Sequence, residues 1–70
     1  MIVYDRLWET MKKKGVTQYS LIHDYNINEA QLDRFRKNGV IKTITIDRLC
    51  NILDCNVEDI CRYVKDEPRE

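Results

Sequence analysis

The stretch TQYSLIHDYNINEAQLDRFRKN, from Thr17 to Asn38, decides the fold of this chain. Its apolar residues recur at the three- and four-residue spacing of a buried helical face, first at Leu21, Ile22 and Tyr25, then at Leu32 and Phe35. Thr17 precedes the first half and Asn28 the second, and both residue types accept hydrogen bonds from the amides of a first helical turn. Ile27 is expected to plug the space between the halves. The pattern predicts two short helices joined by a tight turn, a helix-turn-helix.

The second of these helices is too polar to be buried all round. Its remaining side chains fall off the apolar stripe and form a charged outer face: Glu29, Ala30, Asp33, Arg34, Arg36 and Lys37. We therefore expect this face to meet a partner outside the domain.

Length and composition favour one small helical domain. The chain has 70 residues, of which 43% are hydrophobic and 34% charged, with two glycines and one proline. A domain of this size buries only about 60% of its unfolded surface, so its core must be economical. No run approaches the roughly 18 apolar residues of a membrane span, and charged residues come too early for a secretion signal. We expect a cytoplasmic, all-α protein without a membrane segment.

The cysteines and the histidine give no support for a metal site. Cys50, Cys55 and Cys61 are odd in number and their spacing is not that of a zinc site, so buried free thiols are expected. His23, the only histidine, falls in a different helix and off its apolar stripe. The sequence therefore predicts no metal and no cofactor.

The zero net charge hides an asymmetry between the two parts of the chain. Residues 1–42 hold eight Lys and Arg against five acids, a balance of +3, whereas residues 43–70 hold four against seven, a balance of −3. One end of the molecule can therefore attract a polyanion although the whole does not.

Three more helices are expected around the helix-turn-helix, within a domain of residues 1–65. Their apolar stripes follow the helical period, and Trp8 is expected to anchor the core. The first helix is predicted over residues 3–14, the second over 18–25, the fourth over 44–53 with Thr43 as its cap, and the fifth over 57–64 with Asn56 as its cap. Residues 66–70 are expected to form a frayed acidic tail.

Two polar features allow two interpretations each. Gln31 follows Asn28 by three residues, so its side chain either closes a capping box on the third helix or reads a base. The run Lys12, Lys13, Lys14 before Gly15 either forms a solvated helix end or contacts nucleic acid.

Three segments resemble the lambda-repressor/Cro-like DNA-binding domain, also called the XRE family. GVTQYSLIHDYNI (15–27) is similar to the family's first motif helix, NEAQLDRFRKNG (28–39) to its recognition helix, and IDRLCNILDCNVEDICRYV (46–64) to the small stand-alone bacterial and phage members. The chain departs from the family pattern at Ile22, where a small residue is usual, and at Asn26, where glycine is usual. Glu29 and Asp33 also place two acids on the groove-facing surface.

The resemblance implies a compact five-helix domain whose third helix enters the major groove of double-stranded DNA. Carried over by position, it implies base contacts by Asn28, Glu29, Ala30, Arg34 and, unless the cap holds it, Gln31. It implies phosphate contacts by Thr17, Gln18, Lys37, Asn38 and Lys42. The implied function is a sequence-specific transcriptional regulator, a repressor that occupies its operator as a dimer.

Other interpretations of the same residues remain. Arg34 and Asp33 are otherwise solvated helix charges, and Arg36 otherwise pairs with an acid of the first helix. The rival function is a protein-interaction module on the same fold, with the acids of the third helix or the acidic C-terminal third as its contact. An enzyme is the weakest class, because no nucleophile is paired with a base and no phosphate-binding loop or small-molecule site is evident.

Overall fold

The protein is described by a computed structural model that covers residues 1–66. Four α-helices, one short 3-10 helix and two short strands make up this range. In chain order these are β1 (Ile2–Val3), α1 (Asp5–Lys14), α2 (Gln18–His23), α3 (Glu29–Arg36), α4 (Thr43–Leu53), the 3-10 helix (Val57–Asp59) and β2 (Arg62–Tyr63). The helical class and the helix-turn-helix formed by α2 and α3 are confirmed.

The predicted fifth helix is wrong. Residues 57–64 make one 3-10 turn and then an extended segment, and β2 pairs antiparallel with β1, with Ile2 opposite Tyr63 and Val3 opposite Arg62. The Asp59 carboxylate accepts from the Asn56 amide at 3.0 Å in a capping box that starts the 3-10 turn, and the continuation of a helix competes with the pairing partner that the N-terminal residues offer. The fold is therefore of the predicted all-α helix-turn-helix class, with four α-helices instead of five within residues 1–66 and a small two-stranded sheet.

The same pairing shortens the first helix, and two other boundaries also differ from the predicted ones. Because Ile2–Val3 is extended, α1 begins at Asp5 and not at residue 3. The second helix ends at His23 rather than at residue 25, and Asn26 has the expected left-handed backbone, with φ at 58°. Thr43 is the first residue of α4 and not its cap, which is Lys42 without a side-chain hydrogen bond.

Ten apolar side chains form the buried core, and they come from all four α-helices and from the segments beside them. They are Tyr4, Leu7, Met11, Leu21, Ile27, Leu32, Phe35, Leu49, Leu53 and Ile60. Ile27 is 1% exposed, which confirms its place between the two motif helices. Trp8 is half-buried at the edge of the core and does not anchor it, and Tyr25 is 42% exposed instead of lying on the buried stripe.

The far end of α3 is fastened to the start of α1. Asn38 has φ at 53°, and the Gly39 amide donates to the Arg34 carbonyl at 2.8 Å, which ends the helix in a Schellman motif. The Asn38 side-chain oxygen accepts from the Tyr4 amide at 2.9 Å. The residue that ends α3 therefore also fixes where the helix lies.

The three cysteines are half-buried rather than fully buried, and none forms a disulfide. Burial raises the pKa of Cys55 to about 11, so this thiol stays protonated at neutral pH. Within residues 1–66, no three His, Cys, Asp or Glu side chains gather as a metal site would require. No helix in that range is both long and apolar enough to cross a bilayer.

The predicted tail lies mostly outside the described residues, which exclude 67–70. Asp66 is described, and its carboxylate lies 3.2 Å from the amino nitrogen of Met1.

Asn38 contributes to stability through the hydrogen bond to the Tyr4 amide and through its tolerance of the left-handed backbone, and two substitutions separate these contributions. We expect Asn38→Ala to lower the free energy of unfolding by about 2–3 kcal/mol, because it strands the Tyr4 amide and removes the short polar side chain that lets this residue adopt the left-handed backbone at low cost. Asn38→Asp keeps an acceptor and tolerates that backbone, so it should lie within about 1 kcal/mol of the wild type. Urea denaturation of both variants measures the difference. Equal losses would show that the side-chain oxygen contributes nothing.

Stability in acid should depend on the pair formed by Asp5 and Arg62. The Arg62 guanidinium donates to both oxygens of Asp5, and this hydrogen bonding lowers the pKa of Asp5 below its ordinary value of 3.8. Its contribution is present above pH 3.8 and is lost as the pH falls through the lower value of the folded state. Asp5→Asn should remove the fall in the free energy of unfolding that this pair causes below pH 3.8, whereas Glu58→Gln should leave that fall unchanged. An unchanged profile for Asp5→Asn would contradict the assignment.

Candidate nucleic-acid interface

The outer face of α3 is defined by the two side chains that the helix buries. Leu32 and Phe35 are at most 1% exposed and face the core. At 3.6 residues per turn, positions 30, 33, 34 and 37 lie on the opposite side. Ala30, Arg34 and Lys37 are exposed there, and Asp33 is half-exposed.

A capping box begins α3, and both polar ends of the Gln31 side chain form hydrogen bonds. The Asn28 side-chain oxygen accepts from the Ala30 amide at 2.8 Å, and the Gln31 side-chain oxygen accepts from the Asn28 amide at 3.3 Å. The Gln31 amide nitrogen in turn donates to the hydroxyl of buried Thr45 in α4, at 3.3 Å. Of the two interpretations that the sequence left open, this geometry favours the cap.

The two acids of α3 are paired with cations of the same helix. Arg36 Nη1 lies 3.2 Å from a Glu29 carboxylate oxygen and 3.9 Å from one of Asp33. Lys37 Nζ lies 2.9 Å from the other Asp33 oxygen, and this hydrogen bond lowers the pKa of Asp33. Arg36 thus pairs within α3 and not with an acid of the first helix, and the charge of both acids is compensated.

Arg34 differs from the other cations of this helix. It is exposed and forms no ion pair with any residue between 1 and 66. It lines a groove of about 440 Å³, and Lys42, which also has no ion pair in that range, lines the same groove. The groove runs between α3 and the loop that follows it, with Val40 and Ile41 in its lining. Two uncompensated positive charges therefore border one depression beside the outer face of α3.

Hydrogen bonds within the protein already engage three of the residues that are predicted to contact phosphate. The Thr17 hydroxyl accepts from the Ser20 amide at 3.1 Å, as the first helical cap of the motif. Gln18 accepts through its side-chain oxygen from Arg36, and Asn38 accepts from the Tyr4 amide. Because an amide side chain also carries an NH₂ donor, Gln18 and Asn38 retain a group that can donate to phosphate.

Sequence reasoning missed the central position of Arg36. Its spacing of three residues from Asp33 and seven from Glu29 was a usable signal, because such residues share one side of a helix. Its bond to Gln18 joins α3 to α2 and had no local signal. The exposure of Val40, at 92%, was not expected either, since an apolar residue in a short loop gives no indication of its surroundings.

Comparison with known proteins agrees with the helix-turn-helix fold. The family model for the Cro/C1-type HTH DNA-binding domain matches residues 6–66. The fold is similar to the crystal structure of the transcriptional regulator VanUg, with a TM-score of 0.82 and 17% sequence identity over 93% of this chain and 87% of that one. At that identity the likeness shows the fold. No curated protein sequence matches the chain.

Proposed function

The chain belongs to the Cro/C1-type HTH DNA-binding domain family, and we propose that it is a sequence-specific transcriptional regulator that reads the major groove with α3. One observation carries the proposal: the outer face of α3 keeps Arg34 unpaired beside Lys42, while its two acids are already paired. An exposed guanidinium on a helix of this family suits the groove, because it can donate to both acceptors on the edge of guanine.

Base reading is assigned to the first turn and the outer side of α3. Arg34 is the main reader, with Ala30 making close apolar contact and Asn28 and Glu29 lying at the helix start. Arg36 engages one Glu29 oxygen, and the other can accept from the amine of cytosine. We leave Gln31 in its capping role, since both ends of its side chain are hydrogen-bonded within the protein.

Phosphate contacts are assigned to both sides of α3. Thr17 and Gln18 lie at the start of α2, and Lys37, Asn38 and Lys42 follow the end of α3. Such contacts set the register on the duplex without identifying its sequence. Of these residues, Lys42 is expected to contribute most to phosphate binding, because its ammonium group has no competing carboxylate within the described range.

We infer further that the protein represses transcription in the cytoplasm by occupying an operator as a homodimer, and that it has no catalytic role. A single helix-turn-helix contacts only a few base pairs, so a second copy is needed for a site of useful length. Tyr63 in β2 is 66% exposed and lies on the surface that we assign to the contact between copies.

The rival function is protein binding through the acids of α3 or of the C-terminal third. Arg36 and Lys37 already compensate the acids of α3, which weakens that surface as an acidic contact.

A salt series separates the two functions. We expect the protein to retard random-sequence duplex in a gel at low salt and to lose affinity steeply as salt rises, by a log–log slope of about −0.9 for each phosphate contact. Lys42→Ala should weaken all sequences alike and reduce that slope by about one, while Lys65→Ala serves as the control for a lost surface charge. If the wild type retards no duplex even at low salt, the protein-binding function is favoured.

The role of Arg34 is tested by selecting bound duplexes from a random pool. Arg34→Ala should weaken binding to the selected site by about 1–3 kcal/mol, roughly ten- to a hundredfold, and should relax the preference at one base pair. The control is Lys65→Ala, which removes an exposed cation to which no DNA contact is assigned. A selection profile that Arg34→Ala leaves unchanged would remove the base-reading role.

A further inference from the structure

The proposed interface contains an electrostatic problem. Glu29 and Asp33 are carboxylates on the helix that would enter the groove, and duplex DNA carries one negative charge for about every 1.7 Å of its axis. Like charges brought together in an interface weaken binding unless something compensates them. Lys37 compensates Asp33 from one side, but among the described residues the ion partner of Glu29 is Arg36 alone.

Arg36 touches three partners with one side chain. Its Nη1 atom donates to Glu29 and lies 3.9 Å from an oxygen of Asp33, and its Nη2 atom donates to the side-chain oxygen of Gln18. The flat guanidinium group carries five N–H donors in a fixed fork, so it can serve several acceptors at once. A lysine would offer a single point charge and would lose at least one of these contacts.

The position of Arg36 differs from that of a residue that faces DNA. Positions 29 and 36 lie on the side of α3 that turns toward α2, nearer to the buried Leu32 than to the outer face centred on Ala30 and Lys37. To reach a phosphate, the guanidinium would have to leave Glu29, Asp33 and Gln18, which would leave Glu29 without an ion partner among the described residues and Asp33 with Lys37 alone.

We propose that Arg36 is a positioning residue for DNA binding, which cancels the charge of Glu29 and Asp33 and holds Gln18 of α2 against α3 without itself contacting the duplex. This inference rests on the proposed function. It explains how a helix with two acids can lie in the major groove. It also gives the hydrogen bond between Arg36 and Gln18 a role, which is to hold α2 and α3 in a fixed arrangement. It also fixes the orientation of Gln18, whose oxygen faces Arg36 while its NH₂ group remains for phosphate.

The test is a charge cycle measured with random-sequence duplex, in which base reading has no part. Four proteins are compared: the wild type, Arg36→Gln, the double variant Glu29→Gln with Asp33→Asn, and the triple variant. We expect Arg36→Gln to weaken binding about tenfold or more in the wild-type background. In the background without acids the same substitution should have a small effect, because no repulsion is left to cancel. Lys65→Gln is the matched loss of an exposed cation away from α3.

A second measurement does not depend on DNA. Arg36 contributes, after Lys37, to the lowered pKa of Asp33, so Arg36→Gln should raise that pKa in carboxyl-carbon NMR titrations of the folded protein. Arg36→Lys keeps a charge without the fork. It should retain more affinity than Arg36→Gln when the acids are present, and the two should be alike when the acids are absent.

The outcomes separate this inference from the proposed function. If Arg36→Gln costs the same in both backgrounds and lowers the salt slope by about one in each, Arg36 contacts phosphate and the inference is overturned while the proposed function stands. If the wild type binds no duplex, the proposed function fails and this inference fails with it.

Discussion

The position of α3 depends on the burial of Phe35. Its ring is 1% exposed and meets Tyr4 edge to face, with 4.9 Å between ring centroids, an arrangement that adds about 0.5–1.5 kcal/mol to the burial of the ring itself. An isolated helix of eight residues is not stable in water, since about 12–15 are needed even for favourable sequences. The helix exists because the core holds it, and the Asn38 contact to Tyr4 fixes its end on the same residue. The outer face is therefore presented by a rigid support.

What the sequence predicted well was local. The caps at Thr17 and Asn28, the tight turn between α2 and α3, and the inward stripe of α3 all depend on residues within one or two helical turns. Periodicity and capping rules describe such interactions directly. The proposed interface shares this property in part, since the exposure of Arg34 follows from its place off the stripe.

What the sequence failed to predict depends on distant residues. The segment Arg62–Tyr63 becomes a strand because Ile2–Val3 lies beside it, and Asp5 adds an ion pair to Arg62 across 57 residues of chain. Nothing within residues 57–64 distinguishes that outcome from a fifth helix. The bond between Arg36 and Gln18 is of the same kind, because it depends on the angle between two helices that no local pattern specifies. Long-range pairing, and not local preference, decided each of these features.

The ion pairs of α3 make little difference to stability and a larger one to the surface potential. Glu29 and Lys37 are 63% and 74% exposed, and pairs at such sites are worth only about 0–1 kcal/mol each. The pairing nevertheless changes the charge that the surface of α3 presents to a polyanion. The helix and its C-cap residue Lys37 together hold three cations and two acids, and pairing leaves Arg34 as the cation of this group without an ion partner among residues 1–66. A chain with no net charge can therefore present a locally positive surface, provided that its acids are paired with neighbouring cations.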